Sequence, residues 1–359
     1  MDSLLPLNLP SSPLLPSRIV VAGPCSAESR EGMLACAEAM AACGVIGAVR
    51  AGAWKPRTRP GSFEGYGAPA LDWIRRAALA ARVPSGTEVA TPEHVREAAA
   101  AGIDFLWIGA RTSANPFAMQ ELADAIAEIC PDKGVLVKNP LNPDIELWVG
   151  ALQRLYMAGV RRLGAIHRGF SVYNSHPYRN APLWQIPLQL HRRYPHLPLL
   201  HDPSHTGGSR ELIAPLSQAA LDLGFDGLMI ECHTAPDEAM SDGGQQITPT
   251  ELASILSSLH VRTGREAGEQ LDALRLQIDE LDNELLMLLS RRMHLTDSIG
   301  ECKKLNDMPV LQPERYRRLL SLLLERGPEY DLNTEFLKHL LELVHEESVR
   351  RQLAIINKL

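Results

Sequence analysis

What this 359-residue sequence lacks bounds it first. Its six cysteines follow no regular spacing, which excludes a disulfide framework and fits a reducing compartment. No apolar run approaches the roughly 20 residues that span a bilayer. Residues 1–17 are apolar but have no basic start and are interrupted by Pro6, Pro10, Pro13 and Pro16. They read as an N-terminal extension and not as a signal peptide, so a cytoplasmic location is expected. Positive charge is not in excess: the net charge is −7, which gives no reason to expect a nucleic-acid or membrane partner. Neither GxxxxGK(S/T) nor a GxGxxG after a strand occurs, so no nucleotide fold is expected.

What is present is a long chain with 45% hydrophobic residues, enough for a large core and for two domains. From residue 18 short apolar runs alternate with longer amphipathic segments. The runs are RIVVAGP, GAVRAG, SGTEVAT, DFLWIGA, GVLVKNP, RRLGAIHRG, LPLLHDP and GLMIECH. The segments between and after them cover 29–43, 69–82, 92–101, 116–129, 143–158, 179–193, 210–223 and 248–260. Eight such units over residues 18–259 predict an α/β fold, a parallel (β/α)₈ TIM barrel, with a doubly wound open sheet as the competing reading.

Functional-type residues collect at the C-terminal ends of these runs. Cys25 follows the first, Arg50 and Lys55 the second, and Glu88 closes the third. Arg111 follows the fourth, while Lys138 and Arg168 end the fifth and sixth. His205 follows the seventh and Glu231 ends the eighth. Barrel enzymes build their active sites at that end. Four of the residues, Cys25, His205, Glu231 and the loop residue Asp242, form a mixed thiol, imidazole and carboxylate set suited to a borderline first-row divalent ion. The cations Arg50, Lys55, Arg57, Arg111, Lys138 and Arg168 point to a polyanionic substrate bearing phosphate and carboxylate. An unpaired charge beside an apolar strand end is costly unless it meets an anion.

The pattern changes after a polar linker at 260–270. Over 271–359 strand periodicity gives way to helical spacing, with apolar Leu271, Leu274, Ile278, Leu281, Leu285, Leu288, Leu295 and Ile299 on one long helix. Pro309 and Pro313 break it; a second helix covers about 314–326, and a third runs from an Asn333 cap to about 357. Two short helices cannot cover one so long, so a homodimer through this all-α three-helix domain is expected.

The segments AGPCSAES, RAGAWKPRT, GTEVATPE, WIGARTSANP, VLVKNP, IHRG, DPSHTGG and Glu231 followed by Asp242 resemble, in order, 3-deoxy-D-arabino-heptulosonate 7-phosphate (DAHP) synthase of the short type I beta form. The resemblance implies a synthase barrel joining phosphoenolpyruvate to erythrose 4-phosphate. The related octulosonate 8-phosphate synthases carry a KANR-type segment where this chain has KPRT, which favours erythrose 4-phosphate over arabinose 5-phosphate. It further implies that Cys25, His205, Glu231 and Asp242 bind a divalent metal (Mn, Fe, Co or Zn) acting as Lewis acid on the aldehyde oxygen. Arg50, Lys55, Arg111, Lys138 and Arg168 would hold phosphoenolpyruvate with Glu88 nearby, and Arg57, Thr58 and the backbone around Pro56 the aldose. Lys55 is the candidate general acid for the developing alkoxide.

The segments ALRLQIDELDNELLMLLSRR, then Lys303, PVLQPER and EESVRRQ are similar to the all-helical AroQ-type chorismate mutases. That likeness implies rearrangement of chorismate to prephenate. Arg275 (from the partner subunit), Arg292 and Arg315 would bind carboxylates, Lys303 and Gln352 the ether oxygen, and Ser348 would lie at the rim. Gln312 stands where an acidic residue is common and Tyr316 where Glu is common, so a non-catalytic sensing and dimerisation module is the alternative reading. Fusion of the two domains also suggests feedback on the synthase by chorismate or prephenate through the helical domain.

Overall fold

The structure, a computed structural model, describes residues 1, 3–45, 47–55, 61, 63–173, 175–262 and 269–357. They fall into two compact units, Met1–Thr263 and Gly264–Leu359. In the first, β1 (Ser11–Ser12) leads into β2 (Leu15–Gly23), after which helices and strands alternate. The order is α1 (Arg30–Ala42), β3 (Ala48–Arg50), α2 (Ala68–Ala81), β4 (Ser85–Val89), α3 (Pro92–Ala100) and β5 (Phe105–Ile108). Next come α4 (Ala110–Ser113), α5 (Pro116–Ile129), β6 (Gly134–Lys138), α6 (Ile145–Ala158), β7 (Leu163–His167) and α7 (Gln185–Arg193). The unit ends with β8 (Leu199–His201), α8 (Pro203–Gly207), α9 (Ile213–Asp222), β9 (Gly227–Glu231) and α10 (Pro249–Ser258).

Strands β2 to β9 pair in sequence order and all in parallel, and β2 also pairs with β9, from Ile19 opposite Gly227 to Gly23 opposite Glu231. That last pairing closes the sheet, so the (β/α)₈ barrel is found and the open sheet is not. Alternate residues of each strand face opposite sides. Val21, Trp107, Leu136, Ile166, Leu200 and Met229 fill the barrel, while Val20, Ala22, Leu106, Val135 and Ala165 pack on the helices. Side-chain caps at Ser29, Thr91, Asn115, Asp144 and Thr248 satisfy first-turn amides and start helices where the segments begin. Gly23, at φ +148°, lies where a Cβ would come 2.1 Å from the carbonyl oxygen of Arg50, so the close approach of β2 and β3 needs glycine.

The N-terminal segment packs against the opposite end of the barrel. Leu7 is buried with the barrel interior, beside Gly134 and Gly164 near the starts of β6 and β7. Full burial of such a side chain contributes about 1.5–3 kcal/mol. The segment expected as one helix over 179–193 is helical only from Gln185. The amides of Asn180 and Ala181 bond to Thr206 and Phe170 carbonyls across the fold, and Pro182 has no N–H. These tertiary bonds outweigh local helix propensity and leave Arg179 on the rim.

The second unit is α11 (Glu269–Leu305), α12 (Pro313–Arg326) and α13 (Thr334–Asn357), as the spacing predicts. α11 runs against α13, where Asp297 pairs with Arg351. Among the described residues no helix is long and apolar enough to cross a membrane.

Candidate active sites

Closure of β2 against β9 brings the loop after Gly23 to the end of β9. Ligand atoms of Cys25, Glu231 and Asp242 lie within 4.8 Å of one another. Cys25 Sγ donates to Asp242 Oδ2 at 3.4 Å. His205 stands at the edge of this group. The α8 helix is capped by Asp202, whose side chain accepts from the His205 amide. Nε2 of His205 is 3.7 Å from Glu231 Oε1. Its Nδ1 is 2.8 Å from Asp202 Oδ2, but off the line of a hydrogen bond. Arg50 donates to Glu231 Oε1 at 2.8 Å, and Lys55 Nζ lies 2.9 Å from both Sγ and the carbonyl oxygen of Cys25.

The electrostatics follow from burial and charge. Burial first, then Glu231, pushes the Cys25 thiol up to about 12, against the pull of Lys55. Burial also opposes ionisation of Glu231, but His205, Arg50 and Lys55 outweigh it and hold the carboxyl well below its usual range. Burial would lower Lys55, but Cys25 and Glu231 outweigh it and raise the ammonium above its ordinary value. Burial lowers His205, against Asp202, so its imidazole is neutral and able to ligate near pH 7. A neutral imidazole, two carboxylates and a thiol that ionises on metal binding suit a divalent cation. Cys25, Glu231 and Asp242 thus form a possible metal site.

Around it lies a set of cations. Lys138 bonds to Asp202 at 2.8 Å, with both side chains buried. Arg168 is 7% exposed, and among the described residues its buried Nη1 has no hydrogen-bond partner. Burial pulls its guanidinium down to about 10; Asp202 opposes this, while Arg179 and Arg111 add to it. A buried guanidinium N–H without an acceptor is costly, and it marks where an anion fits. Arg111 sits on α4. Glu88 accepts from Trp107 Nε1 at 3.0 Å, Arg50 stacks over the Trp107 ring, and a Cβ at Gly109 would lie 2.2 Å from Glu88 Oε1. Pro56, Arg57 and Thr58 lie outside the described residues.

Sequence reasoning passed over Asp202, Asn139, Arg179, Gln245 and Gln246. Asn139 accepts from the Arg168 amide and donates to the carbonyls of Pro140 and Gly169, fixing the chain where Arg168 leaves β7. The DPSH and KNP motifs were signals for the first two residues.

In the helical unit Lys303 Nζ donates to Gln352 Oε1 at 2.9 Å and to the Val310 carbonyl at 2.5 Å, and burial pulls its ammonium down. Arg292 donates to Ser348 Oγ at 2.6 Å. Ser348 and Gln352 share the inner face of α13 with His345, whose ring stacks on Tyr316 at 3.9 Å between centroids. Arg315 is on the exposed side of α12. Arg275 pairs with Asp272 on the exposed face of α11. It lies 17 positions before Arg292, about 25 Å along the helix at 1.5 Å per residue. The two arginines of one chain therefore cannot meet at one small ligand.

The fold and these residues define a closed parallel barrel with a metal-type donor set beside a set of cations, followed by a helical unit with a buried lysine–glutamine pair. The chain belongs to the DAHP synthetase I family, whose model matches residues 16–264; the chorismate mutase type II model matches residues 274–353. The barrel region is similar to phospho-2-dehydro-3-deoxyheptonate aldolase of Thermotoga maritima, 33% identical over 228 residues. That match covers 64% of each chain, so this chain spans under two thirds of that relative. A crystal structure of the Thermotoga maritima enzyme matches with a TM-score of 0.60 at 31% identity, covering 67% of each chain. The helical region is 35% identical over 86 residues to the bifunctional chorismate mutase/prephenate dehydratase of Buchnera aphidicola, covering 24% of this chain and 22% of that one.

Proposed function

We propose that the barrel condenses phosphoenolpyruvate with erythrose 4-phosphate to give DAHP and inorganic phosphate, and that the helical unit converts chorismate to prephenate. The observation that carries the first reading is the buried, unpartnered Nη1 of Arg168, set among Lys138, Arg111 and Arg179 beside the Cys25, Glu231 and Asp242 cluster. Cys25, His205, Glu231 and Asp242 would hold Mn, Fe, Co or Zn, which supplies Lewis-acid polarisation of a carbonyl oxygen when bound. Arg168, Arg111, Lys138 and Arg50 bind and orient the phosphate and carboxylate of phosphoenolpyruvate, so that C3 faces the aldehyde carbon. Lys55, kept protonated by its neighbours, donates a proton to the aldehyde oxygen as the C–C bond forms. Water adds at C2, and phosphate leaves. Arg57 and Thr58 of the KPRT segment favour the four-carbon aldose. Mass analysis of the product tests this: a seven-carbon sugar acid phosphate is expected from erythrose 4-phosphate, and preferential use of arabinose 5-phosphate would refute it.

The buried Lys303–Gln352 pair supports the mutase reading, because it offers an ammonium and an amide to an ether oxygen on which charge develops. Arg292 and Arg315 would hold the carboxylates, with Ser348 at the rim and Arg275 supplied by a second subunit. Leu274, Ile278, Leu281, Leu285, Leu288 and Leu295 of α11 are all exposed in the single chain, which supports a homodimer through this unit. The Tyr316–His345 stack, with no carboxylate in either residue, favours a second reading in which this unit binds pathway products without turning them over. Loss of chorismate absorbance on adding the protein separates the two readings. Prephenate or chorismate bound there is expected to inhibit the synthase, and deletion of residues 260–359 to abolish that inhibition. A cytoplasmic location is part of this proposal.

A further inference from the structure

The two consecutive glutamines that follow Asp242 are neither charged nor ligands, yet both are buried, Gln245 2% and Gln246 0% exposed. Gln245 Nε2 donates to Glu231 Oε2 at 2.7 Å, and its Oε1 accepts from Arg179 Nη1 at 2.6 Å. The same Arg179 nitrogen reaches Asp242 Oδ1 at 3.2 Å. Gln246 Oε1 accepts from the Cys25 amide at 2.9 Å, and its Nε2 donates to the Ser241 carbonyl at 2.8 Å. Each amide has one orientation compatible with its partners, since a carboxylate and a carbonyl only accept while a guanidinium and an amide N–H only donate. All four polar ends therefore land on Cys25, on Glu231, on the residue before Asp242, or on the arginine that holds Asp242. Asp242 takes φ +50°, rare for a non-glycine residue, and the chain there turns through Gly243–Gln245, which brings both glutamines back under the cluster.

From this geometry we infer that Gln245 and Gln246 are positioning residues for the metal site: together with Arg179 they set the spacing and orientation of Cys25, Glu231 and Asp242. The inference rests on the metal reading above and adds a role for residues outside the ligand set. Neutral amides suit the task. A carboxylate at 245 would face Glu231 at hydrogen-bond distance with no proton to donate, and a cation there would compete for Glu231 with the metal. Glu231 is held at Oε1 by Arg50 and at Oε2 by Gln245, so its carboxylate plane is fixed while lone pairs remain for a ligand bond. Partners of this kind change metal affinity by roughly 10- to 100-fold when removed.

The test is Co²⁺ binding to the full chain, read as affinity by competition with a chromophoric chelator and as the thiolate-to-cobalt absorption band. Gln245→Met and Gln246→Met are expected to weaken Co²⁺ roughly 10- to 100-fold and to shift the band, the second more strongly because it frees the Cys25 backbone. Should either buried variant fail to fold, Arg179→Met, at a half-exposed position, is expected to weaken binding in the same direction by less. Wild-type affinity with an unchanged band in the folded variants would overturn the positioning role. Wild-type protein that takes up no Co²⁺ would overturn the metal site itself, and the inference with it.

Discussion

The ammonium of Lys55 lies 2.9 Å from the Sγ of Cys25, so the proposed proton donor touches a proposed metal ligand. The contact explains why each raises or lowers the other: Cys25 leads the charges that raise Lys55, while Lys55 opposes the upward push of burial and Glu231 on the thiol. Lys55→Met is expected to lower kcat by roughly 10²- to 10⁴-fold, the usual worth of a positioned acid, while Co²⁺ still binds. Steady-state turnover beside a metal titration checks this; near-normal turnover would remove Lys55 from the chemistry.

Arg168 supplies a second prediction, because a buried guanidinium with an unsatisfied Nη1 destabilises the protein that keeps it. Inorganic phosphate should raise the Tm of the wild type by binding the folded state. Arg168→Met should have a higher Tm without ligand and no response to phosphate, and KM for phosphoenolpyruvate should rise by at least about tenfold, the equivalent of about 1.4 kcal/mol. Thermal melts with and without phosphate decide it.

The paired histidines behind the rim make a pH prediction. Nδ1 of His167 is 3.1 Å from Nδ1 of His201, both rings are buried, and one must donate while the other accepts. Burial lowers His201 to about 4, against Asp202, and burial with His201 lowers His167. Folded values below the unfolded 6.5 mean that the unfolded chain binds more protons as pH falls. Stability is therefore complete above about pH 6.5 and is lost as pH falls toward 4, by about 3 kcal/mol from His201 at 1.36 kcal/mol per pH unit. Glu231 and Asp202 are held below their usual ranges and titrate at lower pH. Urea melts from pH 7 to 4.5 should show the loss, with a shallower slope in His201→Leu.

The architecture was legible because a parallel strand buried on both faces reads as an unbroken apolar run, and all eight runs became barrel strands. Cys25 and Glu231 were legible by type and by place after strands, and Asp242 by type in the loop that follows Glu231. Arg179 was hidden by a helical pattern that tertiary bonds at Asn180 and Ala181 override. Gln245 and Gln246 were hidden because a neutral amide in a loop carries no signal until its partners are seen. Pairing of Lys138 with Asp202, 64 positions apart, depends on the neighbourhood of β6 and β8 across β7, which only the closed sheet supplies.

For the helical unit, Leu285→Glu places a charge in the middle of the exposed apolar face of α11. If that face joins two chains, the variant should sediment as a monomer and lose mutase turnover, since Arg275 and Arg292 of one chain are about 25 Å apart along the helix. Synthase turnover should persist. A variant that stays dimeric would place the interface elsewhere.

The most direct measurement is phosphate release from phosphoenolpyruvate in the presence of erythrose 4-phosphate, using protein stripped with EDTA and then resupplied with Mn²⁺ or Co²⁺. The barrel reading predicts release that needs the aldose, disappears with the chelator and returns with the ion. Release that is indifferent to the chelator, or none with any divalent ion, would contradict the assignment of Cys25, His205, Glu231 and Asp242 as the metal-binding centre of a condensing enzyme.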